Sequence, residues 1–157
     1  MHPLQHVGFA IGVLLASTFF ALLEIQIEGA QGWARNLPCW RLDTPWSRRL
    51  LGGRPLTGYH FYFHLLVLTL VHLPFLMGLA TWTGAAELRI IAFLMLFFII
   101  EDFLWFLLNP AFGLRGFSPQ AIWWHRHAWW WFMPRDYWIF LPLGVGLYVL
   151  SCIPWGS

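Results

Sequence analysis

Residues 88–108 read LRIIAFLMLFFIIEDFLWFLL, and this stretch decides the fold. It is almost continuously apolar, and a helix needs roughly 20 such residues to cross the hydrocarbon core of a bilayer. We therefore predict a membrane-spanning helix here. The adjacent acids Glu101 and Asp102 lie inside this span, where ionisable side chains are rare.

Three further apolar stretches are predicted to cross the membrane, at residues 4–27, 59–80 and 137–153. The last is the shortest and contains Pro142, Gly144 and Gly146, which membrane helices tolerate better than soluble helices do. The sequence thus predicts an all-α, polytopic integral membrane protein. We expect four transmembrane helices in one domain that covers residues 1–157.

The composition of the chain excludes several other classes of protein. The chain is 59% hydrophobic and 10% charged, whereas soluble domains are near a quarter charged. A net charge of +2 provides no polybasic face, which excludes a nucleic-acid partner. Two cysteines are too few for a disulfide scaffold.

The basic residues predict the orientation in the membrane. All of them are arginines, and all but Arg89 fall in the loops at residues 29–58 and 109–136. By the positive-inside rule we expect both loops to be cytoplasmic and both termini extracytoplasmic, in the cell inner membrane.

Both loops are rich in tryptophan, which predicts segments that lie in the interface with membrane lipids. In the second loop, Ser118 and Pro119 form a good N-cap and first-turn pair. We therefore predict an interfacial helix over residues 118–132, with its tryptophans toward the lipid.

Ionisable side chains within the spans are the most informative residues. Each costs about 2.5 to 3.5 kcal/mol in the membrane, so by default it faces the interior of the bundle with a partner. Pairs of acids and of histidines recur one turn apart, and the topology brings them to the same leaflet. The predicted metal ligands are Glu24, Glu28, His60, His64, Glu101, His125 and His127.

Carboxylates and histidines on facing helices are how helical bundles hold one or two iron or manganese ions. We therefore expect iron, either one ion or a di-iron centre. The donor set argues against copper thiolate and iron–sulfur centres, and it leaves zinc open. We expect Asp102, His72 and Asn109 to support the ligands from behind.

Each of these residues also has a structural interpretation. Glu28 could pair with a loop arginine at the interface, and His60 could hydrogen-bond the end of its helix. His72 could be a hydrogen-bonded histidine of the bundle interior. His125 and His127 could be interfacial residues among aromatic anchors, and their spacing in a helix would let at most one of them bind a shared metal.

Two resemblances add to this interpretation. The pairs His60-x-x-x-His64 and His125-x-His127 resemble the histidine boxes of membrane di-iron oxygenases and desaturases. That resemblance implies a di-iron centre in which Glu24, Glu28 and Glu101 take the place of imidazoles. The segment EDFLWF at 101–106 with NPAFG at 109–113 resembles a family of small bacterial four-helix membrane proteins, and this second likeness implies no activity.

The sequence is compatible with two functions. The first is a metal-dependent membrane oxidoreductase, with iron, that acts on a lipid or another hydrophobic substrate at the cytoplasmic leaflet. The second is a non-catalytic small subunit of a larger membrane complex or a homo-oligomer, in which a histidine binds haem or a pigment. A proton pathway is less favoured because the outer half of the spans is mostly apolar. The sequence identifies no catalytic residue.

Overall fold

The computed structural model describes residues 3–126 and 128–154, and in these the chain is mostly helical. The five α-helices are α1 (Pro3–Glu28), α2 (Pro45–Leu50), α3 (Gly58–Leu76), α4 (Gly84–Leu108) and α5 (Arg135–Cys152). The four short strands are β1 (Arg41–Leu42), β2 (Leu56–Thr57), β3 (Trp129–Trp130) and β4 (Met133–Pro134), and Leu114–Gly116 forms a 3-10 turn.

Three helices, α1, α3 and α4, are each long and apolar enough to cross a membrane. They match the first three predicted spans. The prediction of a mostly helical protein with helices able to span a membrane is thus confirmed. The last predicted span corresponds to α5, an 18-residue helix with Pro142 inside it.

The second predicted span is too long at its carboxyl end. It was expected to reach Ala80, but α3 ends at Leu76. Gly78 adopts a left-handed conformation (φ 69°), and the amides of Leu79 and Ala80 both donate to the carbonyl oxygen of Pro74. Local capping hydrogen bonds thus end the helix although the apolar sequence continues.

The bundle is built around α4, which packs along both α1 and α5. Buried between α1 and α4, the Ser17 hydroxyl donates to the carbonyl oxygen of Phe97 at 3.0 Å. In contrast, α3 contacts the bundle mainly through aromatic rings. Phe63 stacks on Phe20 with ring centroids 4.0 Å apart. This looser packing leaves room for a cavity beside α3.

The predicted interfacial helix over residues 118–132 is wrong. Ser118 does cap one turn, in which its Oγ accepts from the Ala121 amide at 3.3 Å, but isolated turns follow and then the β3–β4 hairpin. The physical reason is burial. The protein buries the side chains of Ile122, Trp124 and His125. In a helix lying flat on the membrane, the tryptophan side chains would face the lipid instead.

The first loop is ordered by short elements rather than by a long helix. Strand β1 pairs with β2 directly before α3, and α2 begins with a reciprocal hydrogen-bonded cap between Thr44 and Ser47. Trp46 is exposed, as a residue at the lipid interface should be, whereas Trp33 turns inward and contacts the site described next.

Candidate metal centre

A buried cluster of two carboxylates and one imidazole lies at the end of the bundle where α1 stops and α3 begins. Glu24, Glu28 and His60 each offer a ligand atom, and these three atoms all lie within 4.8 Å of one another. The Nε2 atom of His60 is 3.7 Å from a carboxylate oxygen of Glu28. We call this group the acidic cluster.

Helix periodicity places the two acids. The buried face of α1 carries Ser17, Ala21, Glu24 and Glu28, which recur every three or four residues toward α4. The same stripe that packs small residues against α4 therefore ends in two carboxylates.

His60 is oriented by the start of its own helix. Thr57 is the N-cap of α3, and its side chain lies 2.6 Å from Nδ1 of His60. This contact occupies one ring nitrogen and turns the other toward Glu28. The helix-end interpretation of His60 and the ligand interpretation are thus compatible, because each uses a different nitrogen.

Glu101 adds a third carboxyl group from α4. Its side chain is 5% exposed, and it lies within hydrogen-bonding distance of Glu24. One of its oxygens has no hydrogen-bond partner among the described residues. Two carboxylates in contact repel each other strongly in a medium of low dielectric constant unless a proton or a cation lies between them.

A turn after α1 fixes Glu28 and covers His60. Trp33 and Ala34 both adopt positive φ, 49° and 50°, which is uncommon for residues with a Cβ atom. In this conformation the Ala34 amide donates to Glu28, and the Trp33 ring stacks on His60 at 4.1 Å. The strained turn therefore holds two side chains of the acidic cluster.

A second polar group lies beside the acidic cluster, around Asp102. The hydroxyl of Tyr137 donates to Asp102 at 2.5 Å, and Nε2 of His125 lies 3.3 Å from the same carboxylate. Arg54 pairs with Asp136 at 3.4 Å and lies over the Trp33 ring at 4.1 Å. Burial lowers the pKa of Arg54, and the neighbouring carboxylates of Asp102 and Asp136 oppose that effect.

The two groups differ in charge. Arg54 offsets the acids around Asp102, but among the described residues no arginine lies within 4.0 Å of a carboxylate of the acidic cluster. Among the described residues, the ion-pair partner of the acidic cluster is thus the His60 imidazole, 3.7 Å from Glu28, and not a guanidinium. An oxygen-rich, buried set with one imidazole and no guanidinium fits a divalent cation such as iron, manganese or zinc.

Both groups line one cavity of about 620 Å³ between α3, α4 and α5. Glu24, Glu28, His60 and Glu101 lie in its wall together with Asp102 and His125. A molecule in this cavity would contact the acidic cluster and the polar group around Asp102 at once.

Two predicted residues, His64 and His72, are held by other contacts. His64 lines the cavity, but its Nδ1 donates to the carbonyl oxygen of His60 at 2.5 Å, and its ring stacks on Phe98. His72 is 3.3 Å from Glu87, which begins the opposite end of α4, so it does not support the acidic cluster.

Asn109 also has a different role from the one expected. Its amide donates to the carbonyl oxygen of Gly29 at 2.9 Å, and its side-chain oxygen accepts from the Ala111 amide at 3.0 Å. It therefore ties the end of α4 to the end of α1. His127 lies outside the described residues.

Sequence reasoning missed Trp33, Arg54 and Tyr137 as parts of the site. Trp33 and Arg54 belong to a loop rich in tryptophan and arginine, so interfacial residues were the simpler interpretation. Tyr137 is the first residue of the predicted span at 137–153. Their position in the chain could have identified them, because each lies close to a helix end on the side of the bundle that also carries the acids.

No family model, curated protein or solved structure matches this chain.

Proposed function

We propose that this chain is a metal-dependent integral membrane enzyme, an iron oxidoreductase that acts on a lipid or another hydrophobic molecule. The observation that carries the proposal is the buried acidic cluster, whose three ligand atoms lie within 4.8 Å of one another, with no arginine of the described ranges within 4.0 Å of its carboxylates. Such a cluster is costly in a membrane protein unless its acids are protonated or a cation neutralises them, and a set that includes an imidazole is one that a metal ion can bind.

Glu24, Glu28 and His60 would hold the ion, and Glu101 is placed to complete its ligands. Thr57 orients His60, and the Trp33 ring covers the imidazole and excludes water from that side. Iron would supply one-electron redox chemistry at the cavity wall. Manganese and zinc could use the same ligands, so the identity of the metal has to be measured.

The orientation in the membrane forms part of the proposal. With α5 as a fourth span, the loops at residues 29–58 and 109–136 share the cytoplasmic side, and both termini lie outside. The acidic cluster then sits in the cytoplasmic leaflet, at the depth where a lipid headgroup meets its hydrocarbon chains. A hydrophobic substrate could reach the cavity from within the bilayer.

Metal analysis of the detergent-purified protein tests the proposal. We expect about one or two iron ions per chain, and at least a tenfold loss of metal in Glu28→Gln. Glu87→Gln is the matched control, because Glu87 is also a membrane acid but contacts His72 at the other end of α4. Its metal content should equal that of the wild type.

Three results would contradict the proposal. Metal-free protein with native stability is the first, and equal metal content in the two variants is the second. The third is a haem Soret band in place of non-haem iron, which would favour a haem-binding subunit instead.

A further inference from the structure

The cavity beside α3 joins a polar end to an apolar end. The apolar end is lined by Leu65, Ile91, Leu94, Met95, Phe98 and Phe140. Ile91 and Glu101 are ten residues apart on α4, so the two ends are about 15 Å apart along the helix axis. A molecule that occupies both ends therefore combines a polar head with a long apolar chain.

Asp102 presents carboxylate oxygen to this cavity. It lines the cavity from α4, and its side chain is 30% exposed, whereas the side chain of the adjacent His125 is 3% exposed. Tyr137 donates to the Asp102 carboxylate, but a carboxylate has acceptor sites for about four hydrogen bonds. An ionised carboxylate cannot donate, so a ligand head that contacts Asp102 has to supply the donor.

Carboxyl groups outnumber guanidinium groups at the polar end. The described residues that line the cavity include five acids, Glu24, Glu28, Glu101, Asp102 and Asp136. Arg54 pairs with Asp136 and interacts electrostatically with Asp102, and Arg135 pairs with Asp136 as well. These two arginines can therefore offset the two aspartates, whereas the three glutamates require another source of positive charge.

A single divalent ion at the acidic cluster would not neutralise all three glutamates. When the imidazoles are neutral, the third carboxylate still requires a proton or a cationic group of the ligand. An anionic head would instead add charge of the same sign in a medium of low dielectric constant. Asp102 is close enough to Glu24, Glu28 and Glu101 to interact with them electrostatically, so a cation that contacts Asp102 also reduces the charge of this group.

We infer that the cavity binds a long-chain primary amine in its protonated form. The ammonium head donates hydrogen bonds to Asp102 and compensates the charge that the metal ion leaves, and the hydrocarbon chain lies along the apolar end. This inference names the substrate class of the proposed enzyme and so rests on that function. The binding that it describes can nevertheless be measured without turnover.

Equilibrium binding to the protein in nanodiscs of a zwitterionic lipid tests the inference. The probes share a twelve-carbon chain and differ in the head: dodecylamine, 1-dodecanol and dodecanesulfonate, each corrected for partition into empty nanodiscs. An alkylamine is protonated at pH 7, since the ordinary pKa of the lysine amine is about 10.4. We expect dodecylamine to bind at least tenfold more tightly than dodecanol, and dodecanesulfonate to bind most weakly.

Two variants and one control locate the site of the ammonium head. Asp102→Asn keeps an oxygen that can accept from Tyr137 but removes the charge, so it should weaken dodecylamine binding at least tenfold and change dodecanol binding less than threefold. Asp136→Asn leaves Arg54 with an excess positive charge and should weaken dodecylamine binding at least threefold. Glu87→Gln is the control, because Glu87 contacts His72 at the other end of α4 and does not line this cavity.

The inference is overturned if the wild type binds dodecanol or dodecanesulfonate as tightly as dodecylamine, or if Asp102→Asn behaves like Glu87→Gln. Parallel metal analysis separates it from the proposed function. Selective dodecylamine binding by metal-free protein of native stability supports the inference and contradicts the enzyme proposal, whereas metal-loaded protein without this selectivity does the reverse. The wild-type selectivity and Asp136→Asn keep the test valid if Asp102→Asn fails to fold.

Discussion

Gly32→Ala tests whether the turn after α1 supports the acidic cluster. Gly32 directly precedes Trp33 and has φ 61°, so any side chain there adopts a strained conformation. A Cβ atom would also lie 2.3 Å from the nearest ring carbon of Trp124. That ring cannot easily move, because it is buried and stacks on Phe106.

The expected cost has two parts. The left-handed conformation costs roughly 1–2 kcal/mol for a residue with a Cβ atom. Overpacking against a fixed ring adds about 1–3 kcal/mol. Gly29→Ala is the matched control, because Gly29 has nearly the same φ, 64°, but a Cβ atom there meets nothing within 4 Å. The smaller entropy of the unfolded alanine chain affects both variants equally and cancels in the comparison.

The free energy of unfolding can be measured in mixed micelles of increasing sodium dodecyl sulfate content, with helix content as the signal. We expect Gly32→Ala to be less stable than Gly29→Ala by about 1–3 kcal/mol. Gly32→Ala should also retain less metal, since the displaced turn carries the Ala34 amide away from Glu28. Equal stability and equal metal content in the two variants would refute the reasoning about this turn.

Two further predictions concern the bundle and use the same unfolding assay. Ser17→Ala removes the buried hydrogen bond to Phe97 and should cost about 0.5–1.5 kcal/mol, whereas Thr18→Ala should change stability less, because that hydroxyl only bonds its own helix. If the two variants are equally stable, the hydrogen bond between α1 and α4 contributes nothing. Gly146→Ala should stabilise α5 by up to about 1 kcal/mol, since its Cβ atom meets open space. Gly144→Ala should lack that gain, because its Cβ atom would lie 3.0 Å from an α4 side chain, and an equal gain at both positions would contradict close packing of α4 and α5.

Apolar run length was enough to place the helices, but it could not find their ends. The runs at 4–27, 59–80 and 88–108 correspond to α1, α3 and α4. The end of α3 depends on Gly78 and on hydrogen bonds to Pro74, and a hydropathy pattern does not contain that information. Local capping decided the boundary.

The helix that was predicted after Ser118 is absent from the described residues of this loop, and local sequence signals were again insufficient. Ser118 caps one turn as its sequence indicates. Whether the chain then continues as a helix depends on what the following side chains pack against. Burial of Ile122 and Trp124 in the core favours turns over a continuous helix, and only the tertiary structure supplies that contact.

Part of the site was predictable because topology and helix periodicity act together. One-turn spacing puts Glu24 and Glu28 on one face of α1, and antiparallel spans bring His60 and Glu101 to the same level. The pairing of Asp102 with His125 and Tyr137 was not predictable, since it depends on how the loop before α5 folds back. His72 was expected to support the ligands, but it lies 3.3 Å from Glu87 at the other end of α4. Its depth along α3 alone does not show which residue it contacts.

The acids of the acidic cluster are hard to explain by stability alone. On the same face of α1, Ala21 is fully buried and packs in the core without any polar group, so this face can pack on α4 with apolar atoms. Replacing buried ionic groups by well-packed apolar ones is often neutral or stabilising. Asp102 has Tyr137, His125 and Arg54 around it, which is how a structural acid is normally accommodated. Glu24 and Glu101 instead face each other, so a proton or a cation has to lie between them, and the proposed metal ion would be that cation.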